Sequence, residues 1–176
     1  MSKAVLMSIK PQYCEMIFRG EKTIEIRKRA PKLKPPFKVY VYCTNDPYKT
    51  LMDGSRPLNG FVIGEFECRE ISPICFEASD PAQLKPLFVP GTGLTDVEIM
   101  DYLGNGVPGY GLHISRPRFY LKPKGLSRFI RPCKNGLICE ECNEFSAIIG
   151  HCRDRNIQIT RPPQSWCYVE EWDFQN

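Results

Sequence analysis

Short apolar stretches with the pattern of β-strands occur along most of the chain, and no regular alternation of strands with helices accompanies them. A doubly wound parallel sheet needs a helix between successive strands. The pattern therefore predicts an α+β, mainly β fold, a small and mostly antiparallel β-barrel with short flanking helices. The predicted strands span 5–9, 23–27, 38–43, 60–68 and 166–169, with 112–114 and 118–121 as two strands or one bent strand; the predicted helices span 12–19 and 95–103.

Two local signals refine these boundaries. Thr95 and Glu98 have the Thr-x-x-Glu spacing of a capping box, in which each residue satisfies a free main-chain amide at a helix start. Gly60 and Gly64 lie within the predicted strand 60–68, where glycine is typical of a bend or a bulge. We therefore expect a helix from residue 95 and an irregular fourth strand.

The length of 176 residues fits a single domain, residues 1–176, with residues 130–158 as an insertion of different composition. Every apolar run is far shorter than the ~20 residues that a membrane span needs. The first apolar stretch ends at Lys10, which makes it too short for a signal-peptide core. We expect a cytoplasmic protein that does not bind membranes.

Four of the nine cysteines lie in the predicted insertion, in the pattern Cys-x5-Cys-x2-Cys-x9-Cys. They are Cys133, Cys139, Cys142 and Cys152. Four thiolates around a tight Cys-x2-Cys knuckle suit a structural zinc ion and leave no open position for catalysis. The alternative is an insertion with free thiols, since the usual second Cys-x2-Cys pair is missing. No organic cofactor is expected.

A cluster of charged residues, Lys22, Glu25 and Arg27, lies at the start of the second predicted strand. Strand alternation places Glu25 and Arg27 on one face with Thr23, and we expect this face to point away from the core. The two cations could hold a phosphate or carbonyl group while Glu25 accepts from a base amino group. Alternatively, Lys22 and Glu25 form a nucleophile and acid–base pair, or the cluster is an ion pair on a solvated face.

Residues 116–131 contain six basic residues and no acidic residue, with Phe119, Tyr120 and Phe129 among them. The basic residues are Arg116, Arg118, Lys122, Lys124, Arg128 and Arg131. Cations neutralise phosphates and exposed aromatic rings stack on unpaired bases, so the stretch fits a surface for single-stranded nucleic acid. Equally, the aromatic residues belong to the core of a strand and the basic ones are merely solvated.

Several catalytic motifs are absent from the sequence. It has no phosphate-binding Gly-x4-Gly-Lys-Ser/Thr loop, no His-Glu-x2-His and no Gly-x-Ser-x-Gly. His113 and His151 are the only histidines, so serine–histidine and cysteine–histidine catalysis have few candidates. We expect His113, between Leu112 and Ile114, to be structural.

Three stretches together resemble the ASCH domain, a β-barrel family of the PUA-like superfamily. They are Leu6 to Pro11 with the helix that follows, Gly20 to Arg27 with the pattern Gly-x-Lys-x2-Glu-x-Arg, and Ile63 to Phe66. The ending from Arg161 to Glu170 is similar to that of ASCH proteins common in phages and mobile elements, which would place the protein in a host cytoplasm. The resemblance covers roughly residues 3–125 and 160–172.

The resemblance implies a barrel that binds RNA or a modified nucleotide in a cleft lined by Lys22, Glu25 and Arg27. Some small bacterial ASCH-like proteins hydrolyse N4-acetylcytidine with a lysine equivalent to Lys22, a threonine three residues later and a distant glutamate. Here the threonine position is Glu25, and Thr23 is one residue after the lysine. Glu65 and Glu67 are candidates for the distant glutamate by strand position.

The first hypothesis is a binding module for RNA, single-stranded nucleic acid or a modified nucleoside. Lys10 would join Lys22, Glu25 and Arg27 in its pocket, and Trp166 would supply a stacking face. The alternative is an enzyme, an amidohydrolase or ribonuclease, with Lys22 and Glu25 as its acid–base pair. A third hypothesis is an interaction domain whose contact surface is the cysteine-bearing insertion. The oligomeric state is open.

Overall fold

The main element of the fold is a mixed six-stranded sheet. The computed structural model describes residues 2–77, 85–86, 90–104, 107–132, 145–146, 151–152 and 157–172. The sheet strands are β1 (Lys3–Ile9), β2 (Ile24–Arg27), β3 (Phe37–Cys43), β6 (Val62–Ile74), β9 (Gly109–Lys124) and β12 (Trp166–Glu170). Their order in the sheet is β12-β1-β3-β6-β9-β2.

The remaining elements are short. Two-residue strands form three small ladders: β4 (Met52–Asp53) with β5 (Arg56–Pro57), β7 (Phe76–Glu77) with β8 (Lys85–Pro86), and β10 (Phe145–Ser146) with β11 (His151–Cys152). The helices are α1 (Pro11–Phe18) and α2 (Asp96–Leu103). No helix in the described parts of the chain is long and apolar enough to cross a bilayer. The predicted mainly β, α+β class is confirmed.

Pairing in the sheet is antiparallel except between β1 and β3. These two run parallel because the chain leaves β1 through α1 and β2 before it returns in β3. Val5 pairs with Val39 and Ile9 with Cys43 in this register. Because the central strands are covered on both faces, their sequences are apolar at nearly every position.

Two apolar clusters pack against opposite faces of the sheet. In β1, Val5 and Met7 belong to one cluster with α1, whereas Ala4 and Leu6 belong to the other. In β3, Val39 and Tyr40 are divided between the clusters in the same way. This alternation fixes the register, since a shift by one residue would exchange the two faces.

The longest ladder joins β6 to β9, and it bends. Register shifts occur between Val62 and Gly64, and at two further points along the ladder. A Cβ atom on Gly64 would lie 2.5 Å from the main-chain oxygen of Arg118 and 2.5 Å from the ring of Phe18, so only glycine fits. The two predicted segments 112–114 and 118–121 are thus parts of one bent strand, β9.

The N-terminus of α2 is capped as the sequence predicts. The amide of Glu98 donates to the Thr95 hydroxyl, and the carboxylate of Glu98 accepts from the Thr95 amide at 2.8 Å. Ile99 and Leu103 on this helix pack on Ile26 of β2 and Ile74 of β6. The cap and this third apolar cluster hold α2 beside the start of β2.

Candidate nucleotide-binding cavity

A cavity of about 640 Å³ lies where the ends of β1 and β3 meet β2, α1 and α2. Its wall combines charged, aromatic and amide side chains from segments that are distant in sequence. Among its lining residues are Ser8, Lys10, Gln12, Tyr13, Lys22, Glu25, Arg27, Thr44, Glu98, Asp101, Tyr102 and Gln164. Four of the predicted site residues, Lys10, Lys22, Glu25 and Arg27, therefore meet at one cavity.

The carboxylate of Glu25 lies between two buried cations. Its Oε2 atom is 3.2 Å from Nζ of Lys22, and its Oε1 atom is 2.9 Å from Nη1 of Arg27. The three residues are only 2%, 4% and 7% exposed, in the order Lys22, Glu25, Arg27. This face of β2 points away from the apolar clusters, as expected, but Glu25 and Arg27 are buried at the cavity, so the alternative of an ion pair on a solvated face is wrong.

The segment from Gly91 to Leu94 covers the buried lysine. The ammonium of Lys22 donates to the main-chain oxygen of Thr92, and its Nζ atom lies 5.1 Å from the ring centroid of Tyr13. The oxygen of Gly91 accepts from the amides of Thr23 and Ile24 at 2.7 and 2.9 Å. These contacts fix the ammonium in the cavity wall, where burial strengthens its interaction with Glu25.

The guanidinium of Arg27 connects β2 to the end of β1. Its Nη2 atom donates to the main-chain oxygen of Ser8 at 2.7 Å, while Nη1 faces Glu25. The Nε–H group makes no hydrogen bond to any described residue, although it is buried. A buried donor without a partner is costly to the folded state.

Helix α2 supplies an acidic wall that the sequence analysis did not predict. Glu98 and Asp101, three residues apart on the helix, both line the cavity, as does Tyr102. Burial and then the charge of Glu98 raise the pKa of Tyr13 on the opposite wall. Hydrogen bonds from Thr95 lower the pKa of Glu98. The three-residue spacing of Glu98 and Asp101 could have indicated that both acids lie on one side of the helix. The sequence analysis explained Glu98 by the capping box alone.

Trp166 does not line the cavity. Its indole Nε1 donates to the main-chain oxygen of Arg29 at 2.9 Å, and its ring meets that of Tyr168 edge-on with centroids 5.2 Å apart. Both rings pack against the core cluster beneath α1. The function of Trp166 as a stacking face stays a prediction.

Glu65 and Glu67 lie away from Lys22, at a second cavity of about 340 Å³ that includes Arg116. The phenol of Tyr120 donates to Glu65, and burial together with this bond raises the pKa of Tyr120. Glu67 faces Arg116 at 3.5 Å. As candidates for a carboxylate that acts with Lys22, both glutamates are therefore wrong, because β6 places them at the other cavity.

The aromatic residues of the basic stretch 116–131 divide between core and surface. Tyr120 and Phe129 are 1% and 0% exposed and belong to the second apolar cluster. Phe119 is 38% exposed and meets the ring of Phe18 edge-on. Phe119 is therefore the one aromatic ring of this stretch that is accessible for stacking on a base. The interpretation that the aromatic residues belong to the core is correct for Tyr120 and Phe129.

The predicted zinc ligands Cys133, Cys139 and Cys142 lie outside the described residues, and Cys152 lies in β11. Within the described parts of the chain, no group of histidine, cysteine and acidic side chains could hold a metal ion. The zinc site stays a prediction. His113 is not at the main cavity; its Nε2 atom is 2.9 Å from the hydroxyl of Ser72.

No protein-family model matches the chain. A search of curated proteins finds no match either. The structure is similar to the ASCH protein of Zymomonas mobilis, with a TM-score of 0.56, 16% sequence identity, and coverage of 96% of this chain and 88% of that one. A tyrosine-to-phenylalanine variant of that protein gives a TM-score of 0.57 at 16% identity, covering 97% of this chain and 92% of that one. The chain therefore has the fold of the ASCH domain.

Proposed function

We propose that this protein is an ASCH-domain protein that binds RNA or a modified nucleotide, with one base held in the cavity above Lys22, Glu25 and Arg27. The observation that carries the proposal is the buried ion network in the cavity wall. Each buried charge costs several kcal/mol of desolvation, a cost that apolar residues at the same positions would not have. Charged groups buried beside a cavity are therefore characteristic of functional sites.

The size and the side chains of the cavity suit a nucleobase. Its volume of about 640 Å³ is that of a small-molecule site, and it exceeds the volume of one base. Tyr13 and Tyr102 supply aromatic faces, which are the usual stacking partners of unpaired bases. Arg27 and Lys22 supply donors for base carbonyl or ring-nitrogen acceptors, and the acids on α2 accept from an amino group.

The basic residues at the cavity fit the remainder of a nucleotide. Lys10 is exposed and lines the cavity at the start of α1. Lys28, which directly follows β2, is exposed, and its ammonium lies 5.6 Å from the ring centroid of Tyr102. Exposed cations beside a base pocket neutralise the phosphates of the adjoining nucleotides.

A second candidate is an enzyme that acts on a nucleobase or on RNA, as an N4-acetylcytidine amidohydrolase or a ribonuclease. The separation of 3.2 Å between Lys22 and Glu25 inside the cavity favours it, because proton transfer needs such contact. Against this candidate, each oxygen of Glu25 faces a cation. Thr23 is exposed and does not line the cavity, so it is not available as the nucleophile.

The test combines binding and product analysis in the same samples. The full chain is incubated with a panel of nucleosides, including N4-acetylcytidine, and with short single-stranded RNAs. Affinity is measured by calorimetry or fluorescence anisotropy, and products by mass spectrometry. The test variant is Lys22→Met, which keeps the length of the side chain and removes its charge. The matched control is Lys3→Met, at an exposed lysine of β1 outside the cavity.

We expect at least one ligand to bind the wild type and Lys3→Met equally, and to bind Lys22→Met ~10- to 100-fold more weakly, as for a lost charged hydrogen bond. No product should form. A product that appears with the wild type and disappears with Lys22→Met would instead establish the enzyme. Equal binding by all three proteins, with no product that depends on Lys22, would refute both proposals.

A further inference from the structure

Two buried cysteines lie directly behind the wall of the cavity. Cys14 is on α1, Cys43 is the last residue of β3, and both are 0% exposed within the same apolar cluster. Their chain neighbours Tyr13 and Thr44 line the cavity. The binding proposal assigns no function to either thiol.

The main-chain oxygen of Ile9 locates the two thiols relative to each other. It accepts from the thiol of Cys14 at 3.5 Å and from the amide of Thr44 at 2.9 Å. Ile9 is also the partner of Cys43 in the parallel register of β1 and β3. Cys14 on α1 and Cys43 at the end of β3 are therefore neighbours on either side of this main-chain oxygen.

The two thiols are chemically unequal. The hydrogen bond from Cys14 lowers the pKa of Cys43, whereas burial raises the pKa of Cys14 well above its ordinary value. Thiolate is the reactive form, so Cys43 is the thiol that an oxidant attacks first. Cys43 also lies at a strand end, one residue beyond the register shift between Val41 and Tyr42. Because Cys43 is buried and its amide donates to the main-chain oxygen of Phe61, a small oxidant reaches it only through local opening of this strand end.

We propose that Cys14 and Cys43 are an oxidisable pair that forms a disulfide behind the cavity wall when the protein meets hydrogen peroxide. The Cys43 thiolate attacks one peroxide oxygen, the O–O bond breaks, and the hydroxide that leaves takes up the thiol proton as water. The resulting sulfenic acid is attacked by the Cys14 sulfur, which forms the S–S bond and releases a second water. In total, two thiols are oxidised and one peroxide is reduced to two waters.

Peptide mapping of the wild-type chain tests this directly and does not depend on any ligand. The folded protein is treated with graded hydrogen peroxide, blocked with an alkylating agent under denaturing conditions, and digested with trypsin without reduction. Trypsin separates Cys14 from Cys43, in the peptides 4–19 and 39–49, each with a single cysteine. Alkylation of Cys75, which is exposed, reports the peroxide dose that reaches surface thiols.

The expected result is a cross-linked species of peptides 4–19 and 39–49 that has lost two hydrogen atoms and that a reductant separates. It should be absent from Cys43→Ser and retained in Cys68→Ser, a buried cysteine of the same cluster. Recovery of Cys14 and Cys43 as free thiols at the dose that fully oxidises Cys75 would overturn the proposal. Disulfides of Cys14 or Cys43 with other cysteines would also overturn the proposal. Both outcomes are measured on the wild-type protein, so they do not depend on the folding of a variant.

Discussion

The phenol of Tyr120 on β9 donates a hydrogen bond of 2.5 Å to Oε2 of Glu65 on β6, with both side chains buried. Hydrogen bonds to charged groups contribute ~1.5–3 kcal/mol to stability. We therefore expect Tyr120→Phe to lower the free energy of unfolding by ~1.5–3 kcal/mol, measured by urea denaturation. Tyr110→Phe, at a half-exposed tyrosine of the same strand, is the control. Equal losses in the two variants would contradict the prediction.

The buried ion network should show strong coupling between Lys22 and Glu25. Removing Lys22 leaves one oxygen of the buried Glu25 carboxylate without its cation, and removing Glu25 leaves the buried Lys22 ammonium without its carboxylate, so each single change is destabilising. Lys22→Met should therefore destabilise the wild type far more than it destabilises the Glu25→Gln variant, with a coupling of ~0.5–3 kcal/mol in a double-mutant cycle.

The control for that cycle is the pair of Arg19, which is exposed, and Glu15, which is partly exposed, 2.6 Å apart at the C-terminal end of α1. Because water and salt screen this pair, Arg19→Met and Glu15→Gln should be additive within error. A coupling of the same size in both cycles would show that burial does not strengthen the cavity network.

Gly64→Ala should destabilise the protein strongly. The added Cβ atom would meet the Arg118 carbonyl and the Phe18 ring at 2.5 Å, and main chain cannot yield as a flexible side chain does. We expect a loss of ~1–3 kcal/mol or more, as for an overpacked core. Gly125→Ala, whose nearest neighbour is 3.8 Å away, should have little effect. Thermal denaturation of the two variants measures the difference. Similar melting temperatures for both would contradict the prediction that only Gly64 is too closely packed for a Cβ atom.

The cap of α2 should make the acidic cavity wall sensitive to low pH. Hydrogen bonds from Thr95 lower the pKa of Glu98, so its stabilising contribution is complete above the unfolded pKa of about 4.3 and is lost as pH falls below it. We expect the wild type to melt at a higher temperature than Glu98→Gln near pH 7, with the difference shrinking as pH falls from about 4.3 through the lowered pKa of Glu98. A difference that stays constant from neutral to acidic pH would contradict this sign.

Purified protein should contain about one zinc per chain if the insertion carries the predicted thiolate site. Elemental analysis under non-chelating conditions measures this, and Cys142→Ser should lose the metal. Cys75→Ser, at an exposed cysteine outside the set, should keep it. Less than ~0.5 zinc per chain in the wild type would remove the structural-zinc prediction in favour of free thiols.

Local patterns predicted the elements well, because the strands and α2 carry their signals in consecutive residues. The capping box of Thr95 and Glu98 lies where the spacing indicates, and all the predicted strands are present. The burial of Glu25 and Arg27 was not predictable in this way. It depends on α2 and on the Gly91–Leu94 segment, which are about seventy residues further along the chain and cover the polar face of β2.

The basic stretch shows a different limit. Period-two reasoning places Tyr120 and Phe119 on opposite faces but does not say which of them is inside. The register shifts in the β6–β9 ladder change the facing of β9 relative to its partner, and their positions depend on contacts such as that between Gly64 and Arg118. The sequence therefore predicted the aromatic content of the strand but left open which rings reach the surface.

The antiparallel pair of β1 and β12 has a consequence for synthesis on the ribosome. Lys3 pairs with Glu170, and the hydroxyl of Ser8 in β1 donates to the oxygen of Pro163 just before β12. The cavity residue Gln164 lies in the same late segment. One edge of β1 thus has no partner strand until β12 has been synthesised, and an unpaired strand edge is prone to aggregation. The sheet and the cavity wall are therefore completed only when this late segment reaches β1.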